Sequence, residues 1–284
     1  MKPLPLILCL SVLLMACSKN GEGNEPEPVP EPEPEPVFVD YTLMTYNVGA
    51  FRKYEADLGH LSYPEVASII TSVDADICGM NETDWLYSRT YSDKQAQKLA
   101  GILGSDWESH FIQAYRTDYG NSMVWKKKLN MIYKFPRVVI PRTGEGEMRS
   151  MGAIEFEDFV FCTTHLDHKS NDDRLAGAKL ITDWAAKEFG NESKPVFLAG
   201  DLNCEKGSDP INELQKNWKQ LSVDAKSYPS DKPRKSIDYI FVYANDQAER
   251  VSVVDGGVIT KEDNPTIAVA SDHCPVWVKI KIQK

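Results

Sequence analysis

Hydrophobic and polar positions along the chain predict an alternation of strands and helices. Residues 37–47 alternate imperfectly between apolar and polar side chains and are rich in β-branched and aromatic residues, which is typical of a strand. In residues 63–72 the apolar side chains recur at helical spacing after an early proline, which predicts a helix. By the same criteria, residues 94–103, 174–189 and 209–218 are predicted helices, and residues 75–80, 195–199, 237–243, 250–254 and 275–282 are predicted strands.

The order of these elements indicates the fold class. Residues 107–161 are strand-like with turn signals, so strands outnumber helices and several neighbouring strands are predicted hairpins. Two packed sheets accommodate this mixture better than a purely parallel, doubly wound sheet. We therefore expect an α/β fold in which two sheets are flanked by helices.

The first 36 residues differ in composition from the rest. Lys2 precedes an apolar run over residues 4–15 that ends at the small residue Ala16, the pattern of an export signal, and the run is too short to span a membrane. Cys17 completes a Leu-Met-Ala-Cys sequence that resembles a bacterial lipobox, so residues 1–17 are a predicted lipoprotein signal peptide and Cys17 is the predicted lipidation site. An ordinary cleaved signal is the alternative.

Residues 18–36 repeat Glu and Pro, offer almost no apolar area and are a predicted disordered linker. The remaining residues, 37–284, form the predicted catalytic domain. Acyl chains on Cys17 would tether this domain to a membrane without threading the chain through it. We expect an exported protein that is lipid-anchored to the bacterial cell envelope, at the outer membrane, on its periplasmic side or at the cell surface.

The charge of the chain bears on the substrate. The formal net charge is −10, and residues 1–36 hold two lysines and six glutamates, which leaves −6 for residues 37–284. Long polyanions are usually bound by clusters of Lys and Arg, so a mildly acidic domain is poorly suited to them. We therefore expect a small molecule or a lipid head group in preference to nucleic acid, and we predict no protein partner.

Four of the six cysteines lie in the predicted domain and are expected to be thiols. Cys78 and Cys162 lie in apolar runs, where cysteine commonly acts as a small buried hydrophobic residue. Cys204 and Cys274 each follow a polar motif and could approach one another, although spacing alone does not establish a disulfide.

Polar residues that suit metal and phosphate chemistry stand at the ends of several hydrophobic runs. Carboxylate and amide oxygens suit a hard divalent cation, and imidazoles can stabilise or protonate phosphate oxygens. Each position also has a structural explanation, such as a Lys or Arg partner for a buried carboxylate or a hydrogen-bonded histidine on a strand. Together they indicate metal-assisted cleavage of a phosphoester. The residues are Asn47, Glu82, His165, Asp201, Asn203, Asp238, Asp272 and His273.

Asp201 and Asn203 follow a predicted strand and are separated by one residue. In extended chain their side chains project to the same side, so both can meet one ligand. Gly200, directly before them, permits an unusual backbone conformation or a close approach. Near His165, we expect His168 to stabilise the loop and Asp167 to orient a histidine or to cap the following segment.

The order and identity of these motifs resemble those of the endonuclease/exonuclease/phosphatase family, which is DNase I-like, over about residues 41–282. The segment from Tyr119 to Met123 and the element Glu147-x-Arg149 are similar to further motifs of that family. The resemblance implies a four-layer α/β/β/α sandwich of two mixed sheets, with Mg²⁺ or Mn²⁺ bound at one edge. It also implies hydrolysis of a phosphoester.

The resemblance assigns the cation to Glu82, supported by Asn47 and by Asp272. In that scheme the cation polarises a phosphoryl oxygen and stabilises the leaving oxygen. Asp201 orients or deprotonates the attacking water, and Asn203 positions the phosphate.

The resemblance also implies that two histidines donate hydrogen bonds as charge develops on the phosphate. These are His165 and His273, the latter oriented by Asp272 or Asp238. Three residues are candidates for binding the substrate phosphate: Asn121, Arg149 and Arg174. For the two arginines, the alternative explanation is an exposed position on a loop or at a helix start.

The leading functional hypothesis is a lipid-anchored, Mg²⁺- or Mn²⁺-dependent hydrolase of a small or lipid-derived phosphoester. An endonuclease or exonuclease acting on DNA or RNA is the first alternative. A non-catalytic surface binding module is the second, and it would require a disrupted site, whereas every matched position keeps a suitable residue. The fold and the site define the reaction better than they define what is hydrolysed.

Overall fold

The computed structural model describes residues 35–143, 146–190 and 194–284. The predicted signal peptide, Cys17 and residues 18–34 of the predicted linker lie outside the described residues. Residues 36–284 form one compact unit. In the three described ranges, every helix is too short or too polar to cross a membrane.

Thirteen strands and six α-helices lie within the described ranges. The strands are β1 (Phe38–Asn47), β2 (Ile77–Asp84), β3 (Trp107–Gln113), β4 (Tyr119–Lys126), β5 (Met131–Lys134), β6 (Val138–Ile140), β7 (Arg149–Phe156), β8 (Val160–His165), β9 (Val196–Asp201), β10 (Trp218–Gln220), β11 (Asp238–Tyr243), β12 (Val251–Val258) and β13 (Val276–Gln283). The helices are α1 (Glu55–Leu58), α2 (Tyr63–Ser72), α3 (Gln95–Leu103), α4 (Asn171–Phe189), α5 (Asp209–Leu214) and α6 (Ile267–Ala270).

The strands form two mixed sheets. The first has the order β12-β13-β1-β2-β4-β3, and the second has the order β10-β11-β9-β8-β7-β5, with β6 also paired to β7. In each sheet one central pair is parallel, β1 with β2 and β8 with β9, while the other pairs are antiparallel. This arrangement confirms the predicted fold class of two mixed sheets flanked by helices.

The alternation of side chains along each strand builds three apolar layers. In β1, Leu43 packs into the core between the sheets, whereas Met44 points to the opposite face and packs with α2 and α3. On the second sheet, Leu198 of β9 packs outward against α4 through Ile181. The central strands β8 and β9 are therefore buried on both faces, which explains why they are nearly continuous apolar runs, whereas the edge strands β5 and β12 are largely exposed.

Several predicted element bounds were wrong. The second strand continues beyond residue 80 to Asp84, and its pairing with β4 shifts register between Met80 and Thr83. The helix predicted over 209–218 ends at Leu214, because Trp218 begins β10 and packs against Tyr243 with ring centroids 5.1 Å apart. The last long helix begins three residues earlier than predicted, at residue 171, because a serine side chain caps its first turn.

The four cysteines of the described residues are buried free thiols, as predicted. Cys204 and Cys274 are therefore not paired with each other. Burial raises the pKa of Cys204 to about 11, so this thiol, which lines the main cleft, is protonated at neutral pH.

The topology brings the polar motifs to one edge of the sandwich. In the parallel pair of the first sheet, Asn47 lies in register with Asn81. In the second sheet, Asp201 of β9 lies between His165 of β8 and Asp238 of β11, in register with both. Strand register thus converts distant sequence motifs into neighbouring side chains.

Candidate active site

Asp201, Asp238 and His273 meet at this edge. His273 Nδ1 lies 2.9 Å from Asp238 Oδ2, and His273 Nε2 lies 3.6 Å from Asp201 Oδ2. All three residues are buried, with at most 4% of their surface exposed. Of the two aspartates proposed from the sequence to orient His273, the structure places Asp238 in that position. Ser227 Oγ also donates to Asp238 Oδ2 at 2.6 Å, which holds the carboxylate.

Neighbouring charges shift the pKa values of His273 and Asp201. Burial alone would lower the pKa of His273, but the carboxylates of Asp238 and Asp201 outweigh it and raise the pKa to about 10. Burial and the neighbouring Asp238 raise the pKa of Asp201 to about 7. At neutral pH the imidazolium is therefore charged, and Asp201 can exchange a proton.

His165 stands on the other side of Asp201 and is neutral. Burial, followed by the nearby Arg149, lowers the pKa of His165 well below its usual value. Arg149 Nη1 lies 3.1 Å from His165 Nδ1, and because a guanidinium can only donate, the proton of the imidazole is on Nε2. That Nε2–H faces Asp201 Oδ2 at 3.4 Å.

Asn203 adds a second donor at the same point. Its Nδ2 donates to the Leu166 carbonyl at 3.0 Å and lies 2.8 Å from His165 Nε2. Both atoms of the shorter contact carry hydrogens in this tautomer, so they cannot bond to each other. Both residues line the cleft, where each can donate to an acceptor oxygen of a bound ligand.

The route by which Asn203 reaches this position differs from the expectation. The sequence predicted an extended chain with Asp201 and Asn203 projecting to one side, but Asn203 has φ = 51° in the left-handed region. A turn forms instead, in which the Asn203 backbone N–H donates to Asp201 Oδ1 at 2.9 Å. The two side chains still meet at the same edge of the sheet.

The three predicted cation ligands, Asn47, Glu82 and Asp272, lie at this edge, but the amide nitrogen of Asn47 faces the neighbouring carboxylates. Glu82 and Asp272 line the cleft, and neither forms an ion pair with a Lys or Arg of the described residues. Asn47 Nδ2 donates to Glu82 Oε1 and to Asp201 Oδ2, each at 3.0 Å, while its Oδ1 accepts from the Gly49 N–H at 3.1 Å. Asn47 thus holds two carboxylates with its amide nitrogen, and its role as a cation ligand stays a prediction, because its Oδ1 keeps a second lone pair.

Backbone geometry directs Glu82 into the cleft. Its φ is 57°, an uncommon value for a residue other than glycine, at the point where the pairing of β2 with β4 is irregular. Asp272 lies near the Asn47 turn, since a Cβ added to Gly49 would be 3.5 Å from Asp272 Oδ1. Two carboxylates without basic partners fit a hard divalent cation, which commonly completes its coordination with water and substrate oxygens. A bound cation would supply Lewis acidity to a phosphoryl oxygen.

Asp201, Asp238 and His273 also have ligand atoms within 4.8 Å of one another, close enough to surround an ion. His273 Nδ1 is, however, already hydrogen-bonded to Asp238, whereas Glu82 and Asp272 line the cleft without a basic partner among the described residues. Glu82 and Asp272 therefore fit a cation at least as well as this cluster does.

Of the predicted phosphate ligands, two lie in the cleft and one does not. Arg149 and Arg174 line it, and the Nε atom of each is buried without a hydrogen-bond partner in the described residues. Asn121 lies beneath the cleft, where its amide is occupied by Asn81 at 3.0 Å and by the Ser150 carbonyl at 3.0 Å. The prediction that Asn121 binds phosphate is therefore not supported by its position.

The loop after β8 organises the arginine side of the cleft. Asp167 accepts hydrogen bonds from the backbone N–H groups of Glu147, Lys169 and Ser170 at 2.7 to 2.8 Å, and its own carbonyl accepts from Arg174 Nη1 at 2.9 Å. Asp167 therefore caps the segment before α4, one of its two predicted roles. His168 lines the cleft beside Arg149, with its Nδ1 3.2 Å from Arg149 Nη2.

Sequence reasoning missed several residues of the cleft, which has a volume of about 650 Å³. Asn81, directly before Glu82, supports the site from below the cleft: its Oδ1 accepts from the Asp201 backbone N–H at 2.9 Å. Tyr228 packs on His273 with ring centroids 4.7 Å apart, and no pattern in the sequence marks it. Tyr119 and Lys235 complete the wall.

Two mixed sheets flanked by helices, with carboxylates and imidazoles at a shared strand edge, define the DNase I-like class of α/β sandwich. The profile of the Endonuclease/Exonuclease/phosphatase family matches residues 44–273, and the chain belongs to this family. A comparison with curated proteins gives no match.

Solved structures share this fold. A family protein from Bacteroides vulgatus aligns with a TM-score of 0.65 at 18% identity, covering 86% of this chain and 99% of that chain. A second family protein, from Bacteroides thetaiotaomicron, aligns with a TM-score of 0.64 at 15% identity, covering 87% and 97%. A mannosyl-6-phosphatase from Bacteroides thetaiotaomicron aligns with a TM-score of 0.63 at 17% identity, covering 84% and 99%.

Proposed function

We propose that this protein is a Mg²⁺- or Mn²⁺-dependent hydrolase that cleaves the phosphoester of a small molecule or lipid head group. The observation that carries the proposal is a buried carboxylate beside a charged imidazole in the lining of the cleft: Asp201 Oδ2 lies 3.6 Å from His273 Nε2. Asp201 can take a proton from an attacking water. His165 and Asn203 also line the cleft and can donate hydrogen bonds to a phosphoryl oxygen.

The remaining residues have complementary roles. His273, kept positively charged by Asp238, stabilises the negative charge that develops on the phosphoryl group. Asn47 fixes Asp201 and Glu82 relative to each other through its two hydrogen bonds. Glu82 and Asp272 hold the cation. Removal of any one of these groups should therefore affect the chemical step more than the fold.

The shape and charge of the cleft support a compact substrate. Its 650 Å³ is within the usual range for small-molecule sites, and the guanidinium groups of Arg149 and Arg174 place positive charge in its lining, which suits an anionic group. The acidic net charge of residues 37–284 disfavours long nucleic acids. One structural relative is a mannosyl-6-phosphatase, which supports a small phosphoester here, although 17% identity does not transfer its substrate.

A substrate panel tests the proposal. The purified protein is incubated with Mg²⁺ or Mn²⁺ and with p-nitrophenyl phosphate, bis-p-nitrophenyl phosphate, inositol phosphates, sphingomyelin or plasmid DNA. We expect hydrolysis of a small ester that is abolished by EDTA and by Asp201→Asn. Inactivity on the whole panel would contradict the proposal, and Asp201-dependent nicking of the plasmid without small-ester hydrolysis would establish the nuclease alternative.

We also propose export and lipid anchoring through Cys17. The Leu-Met-Ala-Cys sequence after an apolar run and the Glu/Pro-rich segment that follows support it. Metabolic labelling with a radioactive fatty acid in a bacterial host should mark the protein and should fail for Cys17→Ala. Equal labelling of both proteins would contradict acylation at this residue.

A further inference from the structure

A second cleft lies at the lateral edge of the sandwich, between β3 of the first sheet and the β5–β6 connection of the second. Its volume is about 530 Å³. We call it the side cleft, and its principal lining residues are Trp85, His110, Phe111, Gln113, Lys134 and Arg137. None of these residues belongs to the catalytic site.

The side cleft is positively charged in an acidic protein. Among the described residues that line it none is acidic, and neither Lys134 nor Arg137 forms an ion pair with a described carboxylate. Arg137 is held across the cleft, because its Nη1 donates to the Gln113 carbonyl of β3 at 2.9 Å. Two cations without counter-charges in one concave surface create a positive potential that attracts an anion.

The other polar groups of the side cleft are neutral and can both donate and accept. Burial and the neighbouring Lys134 lower the pKa of His110 to about 4, so at neutral pH its imidazole offers one donor and one acceptor. The side chains of Gln113 and Thr117 can also both donate and accept hydrogen bonds. Groups of this kind match hydroxyls, which also donate and accept.

An aromatic pair completes the surface. Trp85 and Phe111 are stacked, with ring centroids 5.3 Å apart and an interplanar angle of 20°. The Trp85 ring is also in contact with Lys94, whose Nζ lies 4.9 Å from the ring centroid, so Phe111 and the edge of Trp85 supply the apolar surface of the side cleft. This surface, beside hydroxyl-matching groups and cations, suits a ligand with an apolar ring face, several hydroxyls and a negative charge. An anionic saccharide has all three features.

The side cleft adjoins the catalytic cleft. Thr117 lines the side cleft and Tyr119 lines the catalytic cleft, and two residues of chain span at most about 7 Å. The Trp85 backbone N–H donates to the carbonyl of Asp118, the residue between them, at 3.0 Å. One short segment therefore forms the wall that both clefts share, and a disaccharide-sized molecule could reach across it.

We propose that the side cleft is a binding site for an anionic saccharide, which Lys134 and Arg137 recognise by its charge. That this saccharide is the distal part of the substrate rests on the proposed phosphoester hydrolase function. Binding to the side cleft itself does not require hydrolysis. The two claims can therefore be tested apart.

Isothermal titration of the full protein with digalacturonate, an anionic disaccharide without phosphate, tests the binding site. The test variant is Lys134→Gln with Arg137→Gln, and the matched control is Lys179→Gln with Lys219→Gln, two exposed lysines elsewhere. Because the test variant loses two charge-assisted hydrogen-bond donors, we expect its affinity to fall at least tenfold, whereas the affinity of the control should be unchanged. Lactose, the neutral comparison, should bind at least tenfold more weakly than digalacturonate.

Three results would overturn the inference. The first is that digalacturonate does not bind, and the second is that wild type and the test variant bind it equally. The third is that benzoate, an anion that is not a saccharide, binds as tightly as digalacturonate. Hydrolysis of bis-p-nitrophenyl phosphate is measured on the same preparations. The test variant should keep the wild-type rate on this short substrate, because neither altered residue touches the catalytic cleft. If none of the proteins hydrolyses this substrate, the proposed hydrolase function is contradicted. The titration would still show whether the side cleft binds an anionic saccharide.

Discussion

His273 Nδ1 lies 2.9 Å from Asp238 Oδ2, while its Nε2 faces Asp201 Oδ2 at 3.6 Å. The imidazolium thus lies between two carboxylates contributed by adjacent antiparallel strands, β9 and β11. The Asp238 carboxylate fixes the orientation of the imidazolium. Under the proposed function, Asp238 is a positioning residue and Asp201 is the group that takes a proton from the reacting water.

Asp238→Asn should lower activity with little change in fold. The amide keeps the shape but removes the charge that sustains the imidazolium, so we expect kcat to fall by about 10² to 10⁴. Steady-state kinetics on whichever ester the panel identifies would measure this. Ser227→Ala removes only one hydrogen bond to the same carboxylate and should cost far less. Equal losses in both variants would argue against the charge-based role.

The same pair predicts how stability depends on pH. Burial opposes protonation of His273, but Asp238 and Asp201 raise its pKa to about 10, above the value of roughly 6.5 for an unfolded histidine. A raised histidine pKa stabilises the fold fully below pH 6.5, and this stabilisation is lost as the pH rises towards 10. Thermal unfolding should therefore show Tm falling more steeply over this window in wild type than in His273→Gln. Parallel curves for the two proteins would show that His273 does not carry the effect.

Glu82→Gln should weaken cation binding. The variant keeps the side-chain size but removes one of the two carboxylates assigned to the cation, and we expect the affinity for Mn²⁺ to fall at least tenfold. Titration of Mn²⁺ followed by its paramagnetic resonance reports binding without hydrolysis. Glu188→Gln, on α4 and paired with Lys187, is the matched control and should bind Mn²⁺ as wild type does.

The sheet architecture was predictable because the strands are strongly apolar and their registers are enforced by burial on both faces. The end of β2 was not predictable. The apolar run predicts that the strand ends at residue 80, whereas the strand continues through an irregular pairing to Asp84. That irregularity depends on the partner strand β4, which is about 40 residues away in sequence. Tertiary pairing of this kind leaves no local pattern.

The site was predictable where motif residues carry the chemistry themselves, as for Asp201 and His273. It was not predictable where a residue acts through its neighbours. Asn47 donates to the carboxylates with its nitrogen while its oxygen accepts from the Gly49 N–H, and the amide of Asn121 is hydrogen-bonded to Asn81 and Ser150. Hydrogen-bond partners decide which end of an amide faces a site, and those partners come from the folded structure.

Gly200→Ala should destabilise the protein and displace Asp201. A Cβ at residue 200 would lie 1.9 Å from the Thr164 carbonyl oxygen on β8, so the two strands could not keep their spacing. Overpacking of this kind costs about 3 kcal/mol in the free energy of unfolding. Urea unfolding would measure it, with Gly101→Ala as the control. That exposed helix position has nothing within 4 Å of the added Cβ and should gain about 0.5 kcal/mol.

Asn81→Ala should reduce both stability and activity, although Asn81 touches neither substrate nor cation. Its Oδ1 accepts from the Asp201 backbone N–H at 2.9 Å, and its Nδ2 donates to Asn121 Oδ1 and to the Thr164 carbonyl. Alanine leaves these buried groups without partners, at a cost of about 2 kcal/mol or more in unfolding free energy. A shift of Asp201 should lower kcat about tenfold or more while KM changes little, because substrate contacts persist. The control is Asn212→Ala, at an exposed position on α5, which should leave the unfolding free energy and kcat unchanged. A wild-type kcat for Asn81→Ala would show that the Asp201 backbone holds its position without this hydrogen bond.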